Sequence, residues 1–252
     1  MSAATRVHRR PTSAGAAKGP GSRGGASGLV PALRLTVRRC RFQVLAWVLP
    51  LWGLVMAVPS YVSVYPTIQL RGALVEGMRN NPGTRLLYGR LPLPGTIGQL
   101  AQWEIGSYLL VCTGLMTVLL TCRLLRADED DGLVEAVRAA GVGRRVPFAA
   151  PVAVVLTVVT LLAAGVGGIL HILTLTVAEL TVGGGWAAAG TLAATGWAFT
   201  ALTAAACQLA RDGSAARALA LMTLGASFGL RVTADETTAS WLRWLTPLGW
   251  RD

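Results

Sequence analysis

Ionisable side chains crowd together at residues 123–146, RLLRADEDDGLVEAVRAAGVGRRV, a charged island between two long apolar runs. The carboxylates Asp128, Glu129, Asp130, Asp131 and Glu135 lead, and Arg138, Arg144 and Arg145 follow. That order suits a short helix, whose N-terminal end attracts anions and whose C-terminal end attracts cations. Asp130 or Asp131 can serve as N-cap and Gly141 as the stop. Between them Leu133, Val134, Val137 and Ala140 recur at helical spacing, a narrow apolar stripe beside Glu135 and Arg138. The chemistry on offer is that of a docking helix held by a partner in water. The same charges also read as a solvated loop that only fixes topology, and spacing alone leaves both readings open.

No other constellation suggests bond-making chemistry. The sequence contains no GxxxxGK[ST] phosphate loop, no GxSxG elbow and no HExxH pair. Cys40, Cys112, Cys122 and Cys207 are scattered, without CxxC spacing or a histidine partner, so no metal or cofactor is expected. The middles of the apolar runs are free of Asp, Glu, Lys and Arg, whereas carriers driven by protons or ions need such groups at membrane depth. His171 and Glu179 lie near the end of the third run, where water can reach them. These absences argue against an enzyme and against a self-powered carrier. Any work done here must be driven by a partner.

The elements that hold the island are membrane spans. A mean hydropathy of +0.53 with 14% charged residues places the chain among polytopic membrane proteins. Several runs reach the about 20 residues needed to cross hydrocarbon. The expected fold is all-α, a polytopic transmembrane helical bundle of about five spans with a cytosolic coupling helix. Residues 1–42 read as a disordered basic tail ending in an amphipathic stretch, Leu33, Leu35 and Val37 among arginines, on the inner leaflet lipids. Residues 43–252 form the membrane domain, with spans expected over 43–62, 105–125, 147–170, 186–210 and 217–231. Pro50 should bend the first span, and the outer part of the third should break near Gly165, Gly167 and Gly168 or bend along the interface. Trp47, Trp52 and Tyr61 are candidate interface anchors, and residues 238–250, rich in Trp, read as an interfacial segment.

The net charge of +11 comes almost wholly from arginine. Basic residues flank the spans instead of forming one surface with interleaved aromatics, which argues against nucleic acid as a partner. With the N-terminus in the cytosol, sixteen basic residues fall inside and seven outside, which puts the island in the cytosol.

Three stretches resemble one family. Tyr65-Pro66-Thr67 with NPGTRLLYG (81–89), the island RADEDDGLVEAVRAAGVGRR (126–145), and WLTPLGW (244–250) follow in the order seen in ABC-2 type permeases, specifically the exporters of polyketide antibiotics or tetronasin-type group. The resemblance implies a permease subunit that moves hydrophobic drugs or antibiotics out through a bacterial plasma membrane. It implies a separate cytosolic ABC ATPase that docks on a coupling helix over residues 128–140. Asp128, Glu129, Glu135 and Arg138 would then be polar contacts, and Leu133, Val134 and Val137 buried ones. Family members are commonly about twice as long, so the resemblance implies a truncated frame or assembly with a second permease half or a second copy. An alternative of another class is a non-transporting membrane scaffold whose island recruits a cytosolic partner.

Overall fold

A computed structural model describes residues 29–79, 81–89, 91, 95–127, 145–237 and 240–251. The described chain is helical, with no strand among the described residues. In order come α1 (Leu29–Val55), α2 (Ser60–Val64), α3 (Ile68–Arg79), α4 (Pro82–Tyr88) and α5 (Ile97–Cys122), which runs on into a π-helical turn, Arg123–Ala127. Then follow α6 (Val146–Leu173), α7 (Val182–Leu209) and α8 (Gly213–Glu236), and the chain closes with two 3₁₀ turns, Ser240–Leu245 and Pro247–Gly249. Five stretches are long and apolar enough to cross a membrane: Leu29–Val64, Ile97–Arg126, Val146–Leu173, Val182–Leu209 and Gly213–Glu236. The chain is thus an all-α polytopic bundle.

Three spans, α5, α7 and α8, begin earlier than hydropathy alone suggests, and a side-chain cap marks each start. α5 begins at Ile97 since Thr96 and Gln99 form a capping box: the Gln99 amide donates to Thr96 Oγ1 at 3.2 Å, and the Thr96 amide to Gln99 Oε1 at 2.9 Å. Asn81-Pro82-Gly83 starts α4: Asn81 Oδ1 accepts from the Gly83 amide at 2.9 Å and Pro82 occupies the first turn. Asp212 caps α8 by accepting from the Ala215 amide at 2.8 Å and from the Ser214 hydroxyl at 2.7 Å. The basic stretch near Leu33, expected at the end of a disordered tail, is the first part of α1; Leu35, Val37 and Phe42 stay exposed there beside the arginines.

α7 is the centre. It packs on α6, α5 and α8, and α1 rests on the far side of α6. Lipid tails are as apolar as leucine, so these helices join through close packing rather than by escape from water. Small residues permit the approach. A Cβ at Gly196 of α7 would stand 2.5 Å from Val159 of α6, and one at Gly114 of α5 would stand 2.8 Å from Leu224 of α8. Gly190, in the same helix, has open space beside it. The Thr113, Thr117 and Thr121 row of α5 and Thr195, Thr200 and Thr203 of α7 are all buried. Thr117 and Thr200 hydroxyls donate to their own helix at the Gly114 and Gly196 carbonyls, which hides polarity between the helices.

α6 continues unbroken through Gly165, Gly167 and Gly168. Two of these glycines are docking notches: a Cβ at Gly165 would overlap the Trp52 ring, and one at Gly167 would stand 2.8 Å from Trp186. Trp52 is therefore not a simple interface anchor. Its Nε1 donates to the Leu162 carbonyl at 3.0 Å and ties α1 to α6.

The segment after α8, residues 238–250, was expected to lie along the interface. Trp241 and Trp244 are exposed, but Thr246, Pro247, Leu248 and Gly249 are buried. Thr195, near the middle of α7, donates to the Pro247 carbonyl at 2.9 Å, and Thr246 donates to the Ser227 carbonyl at 3.0 Å. The chain dips back into the bundle. Non-helical backbone at that depth survives only where protein satisfies its polar groups, and the two threonines do so.

Candidate functional site

The bundle has two chemically different ends. At one end α2–α4, the start of α5, the 174–181 turn, the start of α7 and the end of α8 gather. At the other end lie the start of α1, the π-helical turn, the start of α6 and the α7–α8 connection. A cavity of about 800 Å³ opens in the first of these, between α5, α6, α7 and the 3₁₀ segment. Ile105, Leu109, Leu110, Val166 and Leu192 form its apolar floor, with Trp103 and Leu91 on one wall. Few polar groups reach it: chiefly Gln99, Gln102, Glu179, Arg243 and Arg251. A mostly apolar concavity with a few convergent polar groups is the usual form of a small-molecule site.

Glu179 sits at the rim. Its Oε2 accepts from Arg71 Nη1 at 2.5 Å and from the Ile97 amide at 3.0 Å, so one carboxylate joins α3 to the free N-terminal end of α5. The Arg71 hydrogen bond, helped by the Ile97 amide, holds the Glu179 carboxyl below its ordinary range. Nearby, Tyr61 donates to Glu104 Oε2 at 2.5 Å and fixes the turn after α1 against α5.

Beside the cavity lies a buried charge cluster built from distant parts of the chain. α4 ends at Gly89, whose φ of 79° and ψ of −163° fall in a region reserved for glycine. Three carbonyls at this helix end need donors. Arg231 Nη1 donates to the Leu87 carbonyl at 3.0 Å, Trp103 Nε1 to the Gly89 carbonyl at 3.0 Å, and Arg251 to the Tyr88 carbonyl. Arg251 also donates to the Trp103 carbonyl and to Ser107 Oγ. Asp235 lies 3.3 Å from Arg231 Nε and 3.0 Å from Arg243 Nη2. The side chains of Arg231 and Asp235 are 3% and 2% exposed, so this charge is inside the protein. A Cβ at Gly89 would stand 2.5 Å from Arg231 Nη2 and 2.9 Å from Asp235 Oδ2. Just outside, Arg85 pairs with Glu236 at 2.9 Å, and the Tyr88 hydroxyl bonds to that of Tyr108 at 2.6 Å. That hydroxyl contact, with some burial, pushes the Tyr88 phenol up to about 12.

This cluster was not foreseen as a site. The last span was expected to end at residue 231; α8 instead runs on to Glu236 and turns Arg231 and Asp235, one helical turn apart, onto its buried face. The available signal was the pairing of NPGTRLLYG with the end of the chain, since Leu87, Tyr88 and Gly89 meet Arg231 and Arg251.

At the opposite end, Arg126 in the π-helical turn donates to the Cys207 carbonyl and, at 2.5 Å, to the Ala210 carbonyl. The last carbonyls of α7 are thereby bound to the tail of α5, and Cys122 and Cys207 come within 4.0 Å. Arg123 donates to Gln43 Oε1 of α1 at 2.5 Å. The expected docking residues Asp128, Glu129, Leu133, Val134, Glu135, Val137 and Arg138 lie outside the described residues. Their flanks, Arg126 and Arg145, are at this end. Among the described residues, no group of His, Cys, Asp or Glu could hold a metal ion.

No protein-family profile matches the chain. Over 235 residues, 90% of its length, the chain is 34% identical to the multidrug efflux system permease protein of Mycobacterium tuberculosis. It spans 40% of that protein's length.

Proposed function

We propose that this chain is the membrane-spanning permease part of an ATP-driven exporter of the ABC-2 type, carrying hydrophobic drugs or antibiotics out of a bacterial cell. The observation that carries the reading is the 34% identity to a multidrug efflux permease, maintained across 90% of the chain. The apolar cavity of about 800 Å³ supports it, since that volume holds a drug-sized molecule. The N-terminus and the 128–144 segment face the cytosol, and the α4 end faces outward, as the arginine distribution favours. Motion enters through a separate ATPase seated on residues 128–140. Because Arg126 binds the end of α7, a push on that segment moves α5 and α7 together and works on the cavity between them. A second permease half or a second copy completes the pathway.

Co-purification tests this reading. The chain should bring down an ATPase whose turnover changes on adding lipophilic drugs, and Glu135→Ala with Arg138→Ala should weaken the association. Labelling of a cysteine placed at residue 133 by an impermeant reagent outside intact cells would put the seat on the wrong side and refute it.

A further inference from the structure

The polar groups that line the cavity are unequally occupied. Glu179 is bound by Arg71 and by the Ile97 amide. Arg243 pairs with Asp235 at 3.0 Å, and Arg251 is held by the Tyr88 and Trp103 carbonyls and the Ser107 hydroxyl. Gln99 accepts from the Gly95 and Thr96 amides at the start of α5. Gln102 differs: its half-buried side chain makes no hydrogen bond to any described residue. Spacing explains where it stands. Gly98, Gln102 and Gly106 follow one turn apart on the same face of α5, and all three line the cavity. The Gln102 amide lies over Gly106, where a Cβ would stand 2.9 Å from its Oε1 and 3.3 Å from its Nε2. The missing side chain gives the amide a bare seat on the wall, beside the apolar surface of Ile105, Leu109 and Leu110. A carboxamide offers an acceptor and two donors in one plane. A ligand that covers it without matching those groups leaves them unpaired, and a ligand that matches them does not, which is how a polar group in an apolar site discriminates.

We propose that the cavity selects uncharged amphiphiles with a primary amide or lactam edge, an N–H beside a C=O, which pairs with Gln102 through two hydrogen bonds. The apolar body then lies on Ile105, Leu109, Leu110 and Leu192. This rests on reading the cavity as part of an export pathway, and it names the substrate class and the residue that reads it. A carboxylate or an ammonium entering the same space finds Glu179, Arg243 and Arg251 already engaged, so its desolvation goes uncompensated. Ester carbonyls of bilayer lipids accept but do not donate, and satisfy only half of the Gln102 edge.

The test uses the purified full chain in detergent and an undecanamide carrying a diazirine midway along its tail. Irradiation followed by peptide mass spectrometry locates the label, which is expected on residues 105–110 of α5 and 188–192 of α7. Unlabelled undecanamide, N,N-dimethylundecanamide, undecanoate and undecyl-trimethylammonium then compete. The primary amide should compete about tenfold more strongly than the dimethyl amide, which cannot donate. Its two added methyls favour the dimethyl compound by partition, so partition cannot produce that order. Gln102→Leu should bring the two amides to equal potency, and Gly106→Ala, which displaces the Gln102 amide without removing it, should narrow the gap. The comparison of competitors on the unaltered chain stands even if a variant does not accumulate. Equal potency of the two amides there overturns the Gln102 assignment, and a carboxylate or ammonium that matches the primary amide overturns the uncharged class; in both cases label on the cavity walls leaves the pathway reading intact. Label that does not saturate, or that falls away from these walls, removes the cavity as a ligand site and takes the pathway reading with it.

Discussion

Removing the charge of Asp235 should be the most damaging single-atom change in the described bundle. Asp235→Asn keeps the size of the side chain but leaves Arg231, at 3% exposure, as a buried cation with no counter-ion. Breaking a buried pair in this way costs about 3–5 kcal/mol. At about 2–4 °C per kcal/mol for a chain of this size, the unfolding midpoint should fall by roughly 10 °C. The assay is fluorescence-detected size exclusion after heating in detergent. The reasoning also fixes the sign of a coupling. Arg231→Gln with Asp235→Asn removes the cation and the anion together, so the double variant should be more stable than Asp235→Asn alone, while Arg243 at 25% exposure can be hydrated. A midpoint that stays put in Asp235→Asn, or two single effects that simply add, would show that the charges are not paired as described.

Further outcomes follow from the same contacts. Gly89→Ala forces an L-residue into φ 79°, ψ −163° and against Arg231, which should cost about 1–3 kcal/mol from the backbone alone; a thermal shift in detergent reads it. Glu179, whose carboxyl is held below its ordinary value of 4.5, adds stability that is fully present above that value and is lost as pH falls through its lower folded value. The gap in melting temperature between the unaltered chain and Glu179→Gln should therefore close in acid, and a gap that persists or widens there contradicts the Arg71 pairing. Cys122 and Cys207, 4.0 Å apart, should oxidise to an internal disulfide under copper phenanthroline, as counted by mass spectrometry of alkylated thiols. Arg126→Gln should slow that oxidation by loosening α5 from α7; an unchanged rate would deny Arg126 its clamping role.

The five crossings were legible because each apolar run is long and free of central charge. Their ends were not, because polar residues that look like loop also cap helices: Thr96 with Gln99 moved the start of α5 outward, and Asn81 with Pro82 opens α4. Gly165, Gly167 and Gly168 in α6 read as a break, but two of them are notches, Gly165 for Trp52 and Gly167 for Trp186, since periodicity records what a residue lacks but not what fills the space. The charge cluster was hidden for a different reason. Its members come from three separated stretches, and nothing in their individual spacing tells that Arg231 will find the Leu87 carbonyl. The island was plain in the sequence from its charge order, and its docking role rests on that pattern and on the family resemblance.

The knot at Gly89 also sets an order of events during biogenesis. The carbonyls of Leu87, Tyr88 and Gly89 leave the ribosome long before Arg231 and Arg251 are made, so two of their three donors arrive only with the final stretch of the described chain. Until then α4 must wait at the water-facing surface, and the mouth of the cavity stays open. Closure of that mouth is a late assembly step, and ribosome-stalled chains ending before residue 231 should be cut by protease near Gly89 while full chains resist.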